Sequence, residues 1–94
     1  MPDKSTLTLP EAFDVTQIEN VRNRALKALE KDITGFRIKA DKVAKVDSAG
    51  IQLLLSLNAH TEKHGMTLEI ERPSESLIQG ATMLGAAELL SINE

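Results

Sequence analysis

Polar and apolar side chains of β-favouring type alternate through Ser5-Thr6-Leu7-Thr8-Leu9, and Pro10 follows, which predicts a short first strand ending there. The spacing then lengthens. Ile18, Val21, Ala25, Leu26 and Leu29 recur at three- and four-residue steps as far as Lys31, the spacing of a helix with one apolar face, and Asp14 or Thr16 is placed to cap it. Thr34-Gly35 breaks that period. Phe36, Ile38 and Ala40 next alternate with Arg37, Lys39 and Asp41 in a second strand, and Val43 and Val46 lead out of it. Asp47-Ser48-Ala49-Gly50 opens a helix that runs to about Lys63, and Gly65 suits the left-handed position past a helix end. Thr67 to Glu71 reads as a third strand. Pro73-Ser74-Glu75 is a helix start, Leu77, Ile78, Ala81 and Leu84 follow at helical spacing, and Gly85 separates them from a last short helix over Ala86 to Leu90.

The order β-α-β-α-β-α-α predicts an α/β fold, a small, largely parallel sheet joined by right-handed crossovers and covered by helices. With 94 residues the chain is expected to form a single domain over 1–94, because two cores of half that size would each be too small. Apolar residues make up 41% and charged residues 27%, too apolar for a disordered chain. Aromatics are only 2%, both Phe, so Leu, Ile, Val, Ala and Met must build the core and no base-stacking platform exists. Together with a formal charge of −3 and scattered basic residues, this argues against a nucleic-acid partner. The chain has no cysteine, its first residues Met1-Pro2-Asp3-Lys4 carry no apolar signal core, and no apolar run approaches the roughly 20 residues of a membrane span. A cytoplasmic protein that does not span a membrane is expected.

Periodicity stops at a small α/β domain, and the segment Val46-Asp47-Ser48-Ala49-Gly50-Ile51-Gln52-Leu53-Leu54-Leu55 goes further. It resembles the signature of the STAS family, an Asp-Ser-Ser/Ala/Thr-Gly-Leu turn into an aliphatic helix after a strand and a short linker. The resemblance covers nearly the whole chain. Leu7-x-Leu9 followed by Phe13-Asp14-Val15 is similar to the family's first-strand motif, and Leu84-Gly85-Ala86-Ala87-Glu88-Leu89-Leu90 to its closing helix. The resemblance implies an anti-sigma factor antagonist-like bacterial protein of signal transduction and transcription regulation. Its implied partner is a protein serine kinase or anti-sigma factor, or a related signalling protein, and the serine after the aspartate, Ser48, is implied as the phosphoacceptor.

Physical chemistry makes that role possible at Ser48. A helix N-terminus offers unpaired amides and partial positive charge, so amides near Gly50 and Ile51 are candidates to receive a phosphate, with Asp14, Asp47 and Ala49 as its other neighbours. Gly50 would also let another chain approach closely. Phosphorylation would add about −1.5 to −2 charge beside Asp47 and near Asp14, enough to repel a partner without refolding the domain. The plainer alternative is that Ser48 or Asp47 is a helix cap, and the same holds for Asp14 and Asp47 as cap and turn residue. At about 100° per residue the helix after Ser48 carries more leucine than one stripe holds, so Gln52, Leu53 and Leu55 form a candidate partner-binding patch, unless both leucines belong to the core.

Other chemistry finds little support. His60 and His64 sit four residues apart with no glutamate of a protease motif between them, so no metal site is expected. No Gly-x-Ser-x-Gly elbow and no phosphate- or dinucleotide-binding glycine loop is present, so neither enzyme activity nor a cofactor is expected. Two positions depart from the family pattern: Glu11 and Ala12 stand where many members carry a glycine, and Lys39 where the second strand often carries an aspartate. The chain also lacks the extra N-terminal hairpin strand of longer relatives, so its sheet is expected to be open at that edge. The resemblance admits two further readings, a constitutive subunit held to the ATPase of an ABC-type lipid transporter, and a chemotaxis-associated STAS protein.

Overall fold

The computed structural model describes residues 3–92. In chain order the elements are β1 (Asp3–Thr8), β2 (Ala12–Phe13), α1 (Ile18–Leu29), β3 (Ile33–Lys39), β4 (Lys45–Val46), α2 (Ser48–Lys63), β5 (Thr67–Glu71), α3 (Glu75–Met83) and α4 (Ala87–Leu90). Every element expected from the spacing is present. Between them β2 and β4 pair in parallel as a separate two-residue ribbon, Ala12 opposite Lys45 and Phe13 opposite Val46. Glu11 and Ala12 build this ribbon: the Glu11 carbonyl accepts from the amides of Ala44 and Lys45 at 2.8 and 2.9 Å.

The main sheet runs β1-β3-β5, all parallel, with β3 central and β1 at an edge. Register places Ser5, Phe36 and Leu68 in one row and Leu7, Ile38 and Ile70 in the next, all on one face. That face meets the helices. Phe36 and Ile38 are wholly buried in one core cluster with Val21 and Ala25 of α1, Ile51, Leu54 and Leu57 of α2, and Leu77 and Ala81 of α3. Burial of each such large side chain contributes about 1.5–3 kcal/mol. The opposite face is turned to solvent: Thr6, Arg37, Lys39, Thr67 and Glu69 lie exposed on it. Ion pairs cross it, Lys4 Nζ to Glu69 Oε2 at 3.2 Å and Arg37 Nε to Glu71 Oε2 at 3.1 Å.

Helix ends follow local chemistry. Asp47 caps α2 and Ser74 caps α3, the Ser74 hydroxyl accepting from the Leu77 amide at 3.1 Å. Past the C-termini Gly65 and Gly85 have φ of +69° and +70°. α1 differs from expectation, since its cap is Gln17 with no side-chain bond, and Asp14 and Thr16 instead form a turn before it. Two residues that fit the helical spacing are exposed: Leu26, because α1 buries only the stripe through Val21 and Ala25, and Leu84, because α3 stops one residue before it. No helix of the described residues is long and apolar enough to cross a membrane.

Candidate functional site

The N-terminus of α2 emerges from β4, and the β2–α1 turn is folded back against it. Asp47 makes that junction. Its Oδ1 accepts from the Gly50 amide at 3.2 Å, closing the helix cap, and its Oδ2 accepts from the Val15 amide at 3.0 Å, from a segment 32 residues earlier. One carboxylate therefore ties the start of α2 to the β2–α1 turn. The cap is Asp47 alone. The Ser48 hydroxyl, exposed on the first turn, makes no hydrogen bond to protein among the described residues. Ser48 thus carries no structural duty, which removes the reading of this serine as a cap.

The same bonds decide which amides are open to a ligand. The Gly50 amide is taken by Asp47, and the Ile51 amide donates to the Asp47 carbonyl at 3.2 Å. Those two, expected from the sequence to receive a phosphate, are occupied; the Ser48 and Ala49 amides are left at the helix entrance. Ile51 contributes a buried core side chain, and Gly50 is buried as well. A Cβ on Gly50 would lie 2.5 Å from the Phe13 carbonyl oxygen and 3.0 Å from its ring. The glycine therefore serves the close packing of α2 on β2 within this chain, not the approach of a partner.

Asp14 stands beside this junction. Its Oδ1 accepts from the Thr16 amide at 3.0 Å and from the Thr16 hydroxyl. That hydroxyl bond, with help from the nearby Lys45 charge, holds the Asp14 carboxyl below its ordinary pKa. A carboxyl with a lowered folded pKa contributes its stability above the unfolded value and loses it as pH falls through the folded one, so Asp14 is anionic at neutral pH. Asp14, Lys45 and Asp47 line one side of a shallow depression whose far wall is Gln79, Gly80 and Met83 of α3. Asp47, Ser48 and Ile51 line its neighbour, an apolar hollow of about 200 Å³ closed by Val46, Gly80, Met83 and Leu84.

The expected patch on α2 is only partly there. Gln52 is exposed, whereas Leu53 and Leu55 are half-buried against the core on the two flanks of the stripe Ile51, Leu54, Leu57. α2 packs against both α1 and α4, and Leu53 faces Ala25, Leu26 and Leu29 of α1 across a groove. Exposed apolar surface lies elsewhere. Met83 is 86% exposed, Leu84 53% and Val15 67%, and the first two line the same hollow as Ser48. Sequence reasoning missed them, although Met83 lies off the Leu77 and Ala81 stripe and was legible as outward-facing. The His60 and His64 rings lie 4.3 Å apart, and no group of three His, Asp or Glu side chains among the described residues could hold a metal ion.

A family model described as "Mlab, STAS domain" matches residues 1–91. The chain belongs to the STAS family. Its parallel sheet and flanking helices are thereby those of a STAS domain, and the family is generally non-catalytic. No curated protein and no solved structure matches the chain.

Proposed function

We propose that this STAS chain is a non-catalytic, phospho-regulated binding module of the anti-sigma factor antagonist kind, acting in the cytoplasm. Unmodified, it binds a protein serine kinase or anti-sigma partner; phosphorylation of Ser48 releases it. The observation that carries the reading is the Ser48 hydroxyl, exposed and without a structural bond, on a helix start whose cap is supplied by Asp47. The partner chemistry is that of a protein surface. Met83, Leu84 and Val15 supply exposed apolar area around the serine, and Asp14, Asp47 and Lys45 supply a charged rim. A phosphate there gains from the open Ser48 and Ala49 amides and the helix dipole, while its charge of about −1.5 to −2 beside Asp47 opposes an acidic or apolar partner surface.

Incubation with the cognate kinase and ATP, followed by mass spectrometry and affinity measurement on both forms, tests this reading. Phosphate is expected on Ser48, with weaker binding of the modified form. Ser48→Asp mimics the loss, and Ser48→Ala binds but is never released; having no cap to lose, it unfolds within about 0.5 kcal/mol of the parent. Phosphate on another residue, or equal affinity of the two forms, would make the chain a constitutive binding subunit instead. The apolar rim has its own test. Met83→Asp should weaken partner binding about tenfold or more with unchanged thermal unfolding, since the side chain is almost bare. Unchanged affinity would move the interface away from α3.

A further inference from the structure

The carboxyl ends of all three strands of the main sheet converge on an open hollow of about 200 Å³, on the side of the molecule where the sheet carries no helix. It is lined by Thr8 ending β1, Lys39 ending β3, Glu71 ending β5, and Asp41, Lys42 and Arg72 from the loops that follow. Three of the six are cations. The chain as a whole carries a charge of −3, and the cations elsewhere on this sheet face are neutralised, Lys4 by Glu69 and Arg37 by Glu71. Lys39, Lys42 and Arg72 form no ion pair among the described residues, and of the two carboxylates that line the hollow Glu71 is engaged by Arg37 through one oxygen and Asp41 is unpaired. Arg24 adds a further guanidinium nearby, donating to the Thr8 carbonyl at 3.0 Å.

Arg72 also has an unusual backbone. Its φ is +47°, in the left-handed region that a glycine would occupy without strain. Ordinary turn chemistry selects glycine or asparagine there; an arginine at the rim of a cationic hollow places a fork of N–H donors instead. The crevice beyond the carboxyl ends of parallel strands is also where α/β sheets generally take ligands.

We propose that this hollow binds a phosphate monoester, with Arg72, Lys39 and Lys42 holding the phosphate. The site is separate from Ser48 and goes beyond the switch proposed above. Lys39, which departs from the family's aspartate, belongs to it: the residue lies on the outer sheet face, whereas α2 packs on the inner one.

Titration of the ¹⁵N-labelled chain with inorganic phosphate and with glycerol 3-phosphate, at constant ionic strength set by chloride, tests the proposal. Saturable shifts are expected at the amides of Asp41, Lys42 and Arg72. Arg72→Gly, which relieves the backbone strain and so keeps the fold, should weaken binding roughly tenfold; Asp41→Asn, which removes the unpaired carboxylate, should tighten it. Vesicles displaying the same monoester on phosphatidic acid form the second arm. Saturation by the soluble phosphates assigns a free ligand, and saturation by vesicles alone, with the same dependence on Arg72, assigns a lipid headgroup. Shifts that rise linearly without saturating, saturation only at Ser48 and Ala49, or equal affinity of the Arg72→Gly variant overturns the site.

Discussion

Gly50→Ala destabilises the chain by about 1–3 kcal/mol, although alanine is the better helix former by about 1 kcal/mol in a helix interior. The added methyl would sit 2.5 Å from the Phe13 carbonyl oxygen and 3.0 Å from the Phe13 ring. The oxygen is backbone within the β2–β4 ribbon, so it can retreat only by opening the Phe13–Val46 pairing. Overlap with fixed backbone therefore outweighs propensity. Urea unfolding followed by circular dichroism measures the loss as a lower midpoint at unchanged slope. A midpoint at or above the parent's would mean that β2 yields freely and that the glycine is not required by packing.

Asp47→Ala is expected to cost about 1–3 kcal/mol, because it removes the α2 cap and the bond that anchors the Val15 amide together. Asp47→Asn separates the two contributions. Asparagine has one acceptor oxygen, so it can keep the cap on the Gly50 amide, while its NH2 group then meets the Val15 amide donor to donor and that bond is lost. The asparagine variant should fall between the parent and Asp47→Ala. Hydrogen exchange at Val15 reads the tie directly, with faster exchange expected in both variants. Parent-like exchange at Val15 in Asp47→Ala would mean that the β2–α1 turn holds itself in place through Asp14 and Thr16.

The longer strands and helices were legible because each carries its own period over five or more residues, as in Phe36, Ile38 and Ala40 or in Ile51, Leu54 and Leu57. β2 and β4 were not, since two residues have no period and their pairing is fixed by distant partners. Exposure was legible only where one neighbour decides it. Leu26 and Leu84 fit the helical stripes by spacing, and only the packing of α1 and the end of α3 leave them in solvent. The Asp47–Ile51 motif stood out in the sequence, but the division of labour inside it did not. Which of Asp47 and Ser48 caps the helix, and why Gly50 is a glycine, depends on Val15 and Phe13 arriving from far earlier in the chain. The Met83 rim likewise comes from bringing α3 beside the start of α2.

The helix-free face of the sheet gives this small molecule a back as well as a front. Thr6, in the middle of β1, points outward there, away from α2 and the side on which Ser48 stands. The chain has no cysteine, so a single thiol introduced at Thr6 would be unique. A fluorophore or surface tether attached at that point leaves the Ser48 side facing solution in one defined orientation, with the core residues behind it untouched.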